Sequence, residues 1–246
     1  MIRRSILNLL SPKKPAESIE EMGSRQLLMP FVRGGCDGCG KCASACPSGA
    51  IDVGKEWTID LGKCIFCMDC VGECPLSAIE RVPSPLYALK REDLVFGASR
   101  PPGPAGGALD EPTVAALGES VSIRELDTGS CNGCEVEVNC MSNPYYDMGR
   151  FGLKIVASPR HADMLLVTGP MTNNMRKAAL DTFEATPSPK VVVAMGTCAI
   201  SGGIFAGGDV SGEGVGDTLG VDLFIPGCPP PPERAVLAIL RAFGRQ

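Results

Sequence analysis

In the second half of the chain, short aliphatic and β-branched runs alternate with stretches whose apolar residues recur at helical spacing. Runs at 121–123, 153–157, 164–168, 191–195 and 223–225 read as strands buried on both faces. Segments 135–141, 174–185 and 233–243 read as helices. Strands alternating with helices predict an open parallel sheet with helices on both faces over residues 121–246. In such sheets ligands occupy the crevice beyond the carboxyl ends of the strands.

The first half has a different texture. Residues 31–83 hold eight cysteines in two similar halves, an internal repeat of about 28 residues. Such a unit has too few large apolar residues to fold on burial alone, so bound metal must supply much of its folding free energy. Residues 84–120 read as a linker, because seven of the twelve residues from Pro101 to Pro112 are Pro or Gly. Residues 1–30 form an arm in which Ile2, Ile6, Leu9 and Leu10 fall at helical spacing among Arg3, Arg4, Lys13 and Lys14. Two readings are open for it: an amphipathic segment on a membrane subunit or the lipid surface, or an arm packed on a soluble neighbour or its own domain.

Cysteine decides the chemistry. The chain of 246 residues carries 13 of them. C-D-G-C-G-K-C-A-S-A-C-P at 36–47 and C-I-F-C-M-D-C-V-G-E-C-P at 64–75 are both the C-x2-C-x2-C-x3-C-P run of bacterial ferredoxins. In that run three thiolates hold one 4Fe-4S cluster and the remote fourth crosses to the other. The expected sets are therefore Cys36, Cys39, Cys42 and Cys74 for one cluster, and Cys64, Cys67, Cys70 and Cys46 for the second. Structural zinc is the competing reading, but it uses knuckles of two cysteines and gains nothing from a third step followed by Cys-Pro. Four more cysteines follow predicted strands: Cys131 and Cys134 in T-G-S-C-N-G-C-E, Cys198 in M-G-T-C-A-I and Cys228 in I-P-G-C-P-P. All four are expected at one edge of the sheet, as ligands of a third 4Fe-4S cluster, which leaves Cys140 as a plain buried thiol.

Other classes fall away. A net charge of −5 argues against nucleic acid. The opening residues lack the apolar region of an export signal, so the chain is expected in the reducing cytosol, where clustered cysteines usually hold metal. No stretch reaches the roughly 18 apolar residues needed to span a bilayer. No hydrolase, triad, P-loop or dinucleotide fingerprint is visible.

Residues 121–246 resemble the small, electron-transferring subunit of nickel-iron hydrogenases and the related cluster-bearing subunit of complex I. The resemblance rests on G-S-C-N-G-C-E, N-P-Y-Y-D at 143–147, A-S-P-R-H-A-D at 157–163, V-T-G-P at 167–170, G-T-C-A at 196–199 and P-G-C-P-P at 226–230. Residues 31–83 resemble the two-cluster ferredoxin subunit of the same complexes, here in one chain with the other. The complex I branch has two adjacent cysteines where Asn132 and Gly133 separate Cys131 from Cys134, and this C-x2-C form is similar to that of the membrane-bound, complex-I-like (group 4) hydrogenases. The resemblance implies a flavodoxin-like fold behind a small ferredoxin-like α+β domain, with Cys131, Cys134, Cys198 and Cys228 holding the cluster nearest a nickel-iron centre. It further implies a nickel-iron large subunit and integral membrane subunits as partners, with a soluble donor or acceptor. The chain is then peripheral on the cytoplasmic face of the membrane, an electron-transfer subunit with no catalytic residues of its own. Glu135 is a candidate proton relay where two subunits meet or, more simply, a carboxylate at a helix N-terminus. His161, the one histidine, either tunes a cluster by hydrogen bonding or is structural. Two alternatives stand: a complex-I-like oxidoreductase passing electrons to quinone or another acceptor, and a scaffold braced by its clusters.

Overall fold

The computed structural model describes residues 18–103 and 106–245. The helical pattern at Ile2, Ile6, Leu9 and Leu10 lies outside the described residues. The N-terminal unit opens with α1 (Ile19–Ser24), capped by Ser18, and β1 (Leu28–Val32). One-turn helix α2 (Lys41–Ser44), hairpin β2 (Ile51–Val53) and β3 (Trp57–Asp60), one-turn helix α3 (Asp69–Gly72) and β4 (Ile79–Pro83) follow. Strand β4 returns antiparallel to β1, with Leu28 opposite Pro83 and Val32 opposite Ile79.

The stretch expected as a linker is built into the fold. It carries β5 (Val95–Gly97), which pairs antiparallel with β3, and α4 (Glu111–Leu117), capped by Asp110. Ala88 exchanges backbone hydrogen bonds with Phe224, so this stretch also lies along the edge of the C-terminal sheet. The Pro- and Gly-rich composition marks only its middle; Tyr87, Ala88, Leu94 and Phe96 are buried.

The C-terminal unit runs β6 (Val121–Asp127), α5 (Gly133–Met141), β7 (Leu153–Ile155), β8 (Met164–Thr168), α6 (Asn173–Ala185), β9 (Val191–Met195), α7 (Thr197–Ser201), β10 (Leu223–Ile225) and α8 (Pro232–Ala242). All its strand pairs are parallel, in the order β7-β6-β8-β9-β10. Counted within the unit this is 2-1-3-4-5, the flavodoxin-like order, with its switch point between β6 and β8. Strands β8 and β9 are buried at every position, as their continuous apolar runs require. Alternate residues serve opposite faces. Ile123, Met164, Leu166, Val193 and Ile225 pack against Val138 and Met141 of α5 and the long buried side of α8. Leu126, Leu165, Val167, Val192 and Ala194 lie in one buried cluster with Ala179 of α6, Ala199 and Ile200 of α7, and Met29, Ile59, Leu61 and Leu94 of the N-terminal unit. The two units therefore share one hydrophobic core.

Candidate metal centre

The two halves of the N-terminal repeat follow the same backbone path. Cys42 rides α2 and Cys70 rides α3, and the residue before each helix is left-handed, Gly40 at φ 76° and Met68 at φ 68°. Gly38 and Phe66, and Gly49 and Ser77, are further left-handed pairs at the same repeat spacing. The first half meets that requirement with glycine and the second half with side chains that bear its cost. The Ala50 N–H donates to Cys46 Sγ at 3.3 Å and the Ala78 N–H to Cys74 Sγ at 3.2 Å, again at equivalent positions. The Phe66 N–H donates to Cys64 Sγ at 3.3 Å.

Cys36, Cys39, Cys42 and Cys74 line one cavity. Cys46, Cys64, Cys67 and Cys70 line a second. Each cavity draws three cysteines from one motif and the fourth from the other. Burial pushes the Cys64 and Cys70 thiols up to about 12, with the neighbouring cysteines adding to it. Ligands in such sites shed their protons as iron binds. Cys36 and Cys39 of the first set are exposed, whereas in the second set Cys67 alone is.

The third group forms at the carboxyl edge of the parallel sheet. Asp127, ending β6, accepts the Gly129 and Ser130 N–H groups at 2.8 Å each, and Ser130 Oγ accepts from the Asn132 N–H at 2.9 Å. This tight turn delivers exposed Cys131 and, at the start of α5, half-buried Cys134. Cys198 opens α7 after β9, and exposed Cys228 follows β10. The Thr197 N–H donates to the Gly227 carbonyl at 2.9 Å and ties these two loops together. Burial raises the Cys134 thiol, with Glu135, Cys198, Cys228 and Cys131 adding to it, and lifts Cys198 to about 11. Gly196 is packed so closely that a Cβ there would sit 2.6 Å from Cys134 Sγ.

These sites suit a sulfur-ligated group wider than one ion. All their donors are thiols, the chemistry of 4Fe-4S ligation. A tetrahedral zinc needs its sulfurs within about 2.3 Å of a single point. Among the described residues no three His, Cys, Asp or Glu side chains gather around such a point. A roomier cavity of about 390 Å³, lined by Arg25, Arg33, Arg234 and Arg241, holds no cysteine and lies apart from this chemistry.

Glu135 occupies the first turn of α5 and is buried. The Thr168 hydroxyl, at the end of β8, donates to its Oε1, and its Oε2 has no hydrogen-bond partner. Glu125 faces it from β6; burial, reinforced by Glu135 and Asp127, pushes Glu125 up to about 7. The sequence reading missed Glu125, whose polar side chain sits inside a strand. It also missed Thr197 and Ser201, four residues apart on α7, whose hydroxyls reach into the N-terminal unit. His161 is exposed in the turn preceding β8, at the opposite edge of the sheet from the cysteines, and so cannot tune the third site. Cys140, expected to be buried, is half-buried.

Two family descriptions match the chain. Residues 131–242 match "NADH ubiquinone oxidoreductase, 20 Kd subunit", and residues 35–78 match "4Fe-4S dicluster domain". The probable membrane-bound hydrogenase subunit mbhJ of Pyrococcus furiosus is 42% identical over 127 residues, 52% of this chain and 76% of that one. Formate hydrogenlyase subunit 7 of Escherichia coli is 42% identical over 125 residues, 51% of this chain and 49% of that one. An NADH-quinone oxidoreductase subunit of Carboxydothermus hydrogenoformans is 46% identical over 101 residues, 41% of this chain and 61% of that one. With sulfur-lined sites in both matched regions, the chain belongs to the NADH ubiquinone oxidoreductase 20 Kd subunit family, as an oxidoreductase subunit with a 4Fe-4S dicluster domain ahead of the family domain.

Proposed function

We propose that the chain is the electron-transfer subunit of a membrane-associated nickel-iron hydrogenase and carries electrons through three 4Fe-4S clusters. Cys36, Cys39, Cys42 and Cys74 hold the outermost, Cys46, Cys64, Cys67 and Cys70 the middle one, and Cys131, Cys134, Cys198 and Cys228 the one facing the large subunit. The observation that carries this reading is the grouping of twelve cysteines around three sites, the middle one against the third. Each bound cluster supplies one-electron redox chemistry. The protein's own share is to bury the sulfurs and donate N–H bonds to them, which sets potential.

The C-x2-C spacing of Cys131 and Cys134 and the hydrogenase relatives favour a nickel-iron partner. Exposed Cys131 and Cys228, with exposed Ile204, Phe205 and Val210 on the loop after α7, offer the face for that partner. Membrane attachment then comes through other subunits; no described helix is long and apolar enough to cross a bilayer. Similarity to a quinone oxidoreductase subunit supports a second reading, in which electrons pass to a quinone.

Anaerobic purification of the native complex tests both. About twelve iron atoms and as much acid-labile sulfide per chain are expected, with nickel in a partner subunit. Iron nearer eight, or zinc in its place, overturns the three-cluster wire; a complete complex without nickel overturns the hydrogenase in favour of the quinone reading.

A further inference from the structure

Thr197 is 1% exposed, and its Oγ1 lies 2.8 Å from the Cys64 carbonyl oxygen and 3.0 Å from that of Gly227. One hydroxyl proton is thus shared between the backbone of a cysteine of the middle set and the residue before Cys228. Thr197 is itself bonded through the chain to Cys198. No other described side-chain hydrogen bond joins the backbone of a middle-set cysteine to the C-terminal unit. One turn further along α7, the Ser201 hydroxyl donates to the Gly62 carbonyl at 2.7 Å, two residues short of Cys64.

We infer that Thr197 is a positioning residue for electron transfer: its hydroxyl fixes the gap between the Cys64 and Cys198 ligand sets and gives the electron a hydrogen-bonded route across it. The inference rests on the proposed three-cluster reading and adds to it the contact through which the units communicate. One electron, delivered by a one-electron reductant at the Cys36 side, leaves the group held by Cys46, Cys64, Cys67 and Cys70. It arrives on the group held by Cys131, Cys134, Cys198 and Cys228. The first is oxidised, the second is reduced, and the hydroxyl keeps its proton throughout. Tunnelling falls steeply with distance and is better through bonds than through empty space, so a fixed bridge at the crossing governs the rate. Ser201 grips the same loop but touches no cysteine, which makes it a clamp off the route.

The test uses the full chain, loaded with iron under anaerobic conditions, as wild type and as Thr197→Val, Thr197→Ser and Ser201→Ala. Rapid photoreduction gives the rate at which the third cluster is reduced from the other two. Electron paramagnetic resonance gives the magnetic interaction between the reduced middle and third clusters. T197V, which matches threonine in shape but lacks the hydroxyl, is expected to keep full iron and to slow transfer about tenfold or more, with a weakened interaction. T197S is expected to run at the wild-type rate, and S201A within about twofold of it. Wild-type rate and spectrum in T197V overturn the inference. So does S201A slowing as much as T197V, since general docking then explains both. If T197V does not assemble, a tenfold slowing in T197S, which retains the hydroxyl, overturns it equally. Wild-type protein with iron short of about twelve atoms sinks the three-cluster reading instead, and this inference with it.

Discussion

Replacing Gly196 with alanine is expected to empty the third site while leaving the other two filled. Gly196 joins β9 to α7 at φ 89° and ψ 157°, a conformation suited to glycine. Holding alanine there costs about 1–3 kcal/mol. Its Cβ would also meet Cys134 Sγ at 2.6 Å, and the Gly196 N–H is held to the Ile225 carbonyl at 2.9 Å, so the backbone has little freedom to retreat. Overpacking of this kind adds about 1–3 kcal/mol. The lower end of the sum, about 2 kcal/mol, already weakens cluster retention roughly thirtyfold. Gly207→Ala serves as the control. Its φ is 74°, yet nothing lies within 4 Å of the added Cβ, so it carries the strain without the collision. Iron and sulfide should fall to about eight per chain in G196A and stay near twelve in G207A, with loss of the third cluster's signal in the first alone. A G196A protein with the full iron content and an unaltered spectrum refutes the packing argument at Cys134.

Three further outcomes follow from individual residues. Ser77 is exposed at φ 50° where the equivalent Gly49 needs no side chain; Ser77→Gly should stabilise by about 0.5–1 kcal/mol and raise Tm a few degrees, and an unchanged or lower Tm counts against the strain. Glu125, lifted from 4.5 to about 7 chiefly by burial, favours its protonated form in the folded state. The stability it contributes is present in full below about pH 4.5 and lost as pH rises through about 7, at most about 3 kcal/mol. Glu125→Gln should therefore raise thermal stability at pH 7.5 and much less at pH 5, and an equal gain at both sinks the argument. Cys140→Ser should retain the wild-type iron and sulfide content; a loss of about four iron atoms would make Cys140 a ligand.

What could be read from the sequence depended on whether one residue's neighbours in the chain were also its neighbours in space. Strands β8, β9 and β10 were legible to the residue because each is a continuous apolar run closed by glycine, proline or threonine. Strand β6 extends to Asp127, four residues past its apolar start, since Arg124 and Glu125 interrupt the pattern while the backbone continues to pair with β8. The short antiparallel strands of the first half left no local signal, because pairs such as Ile59 with Phe96 are set by contacts distant in the chain. Both cysteine motifs were plain from spacing alone. Thr197 was not, because T-C-A-I-S shows two hydroxyls four residues apart but nothing of the loop at Gly62 and Cys64 that they meet.

The junction between the units explains why joining them in one chain matters physically. A tethered domain with a polar interface would be free to move relative to its neighbour. Here Met29, Ile59, Leu61 and Leu94 belong to the same buried cluster as Leu165, Val167, Val192 and Ala194 of β8 and β9, so separating the units would expose apolar surface on both. Around Cys64 the joining bonds are neutral and buried, from Thr197 to the Cys64 carbonyl and from Ser201 to the Gly62 carbonyl. Such bonds are weakly screened by salt, unlike a docking contact made of surface ion pairs. On the other flank Arg234, buried and reaching the Pro85 carbonyl and the Ser84 hydroxyl, pins the exit of β4 to α8. The Ala88 and Phe224 backbones close the same seam along the sheet edge. Covalent linkage alone would raise only the chance of encounter. The shared core holds the two units together, and within that frame, on the three-cluster reading proposed above, the Thr197 bond sets the gap between Cys64 and Cys198.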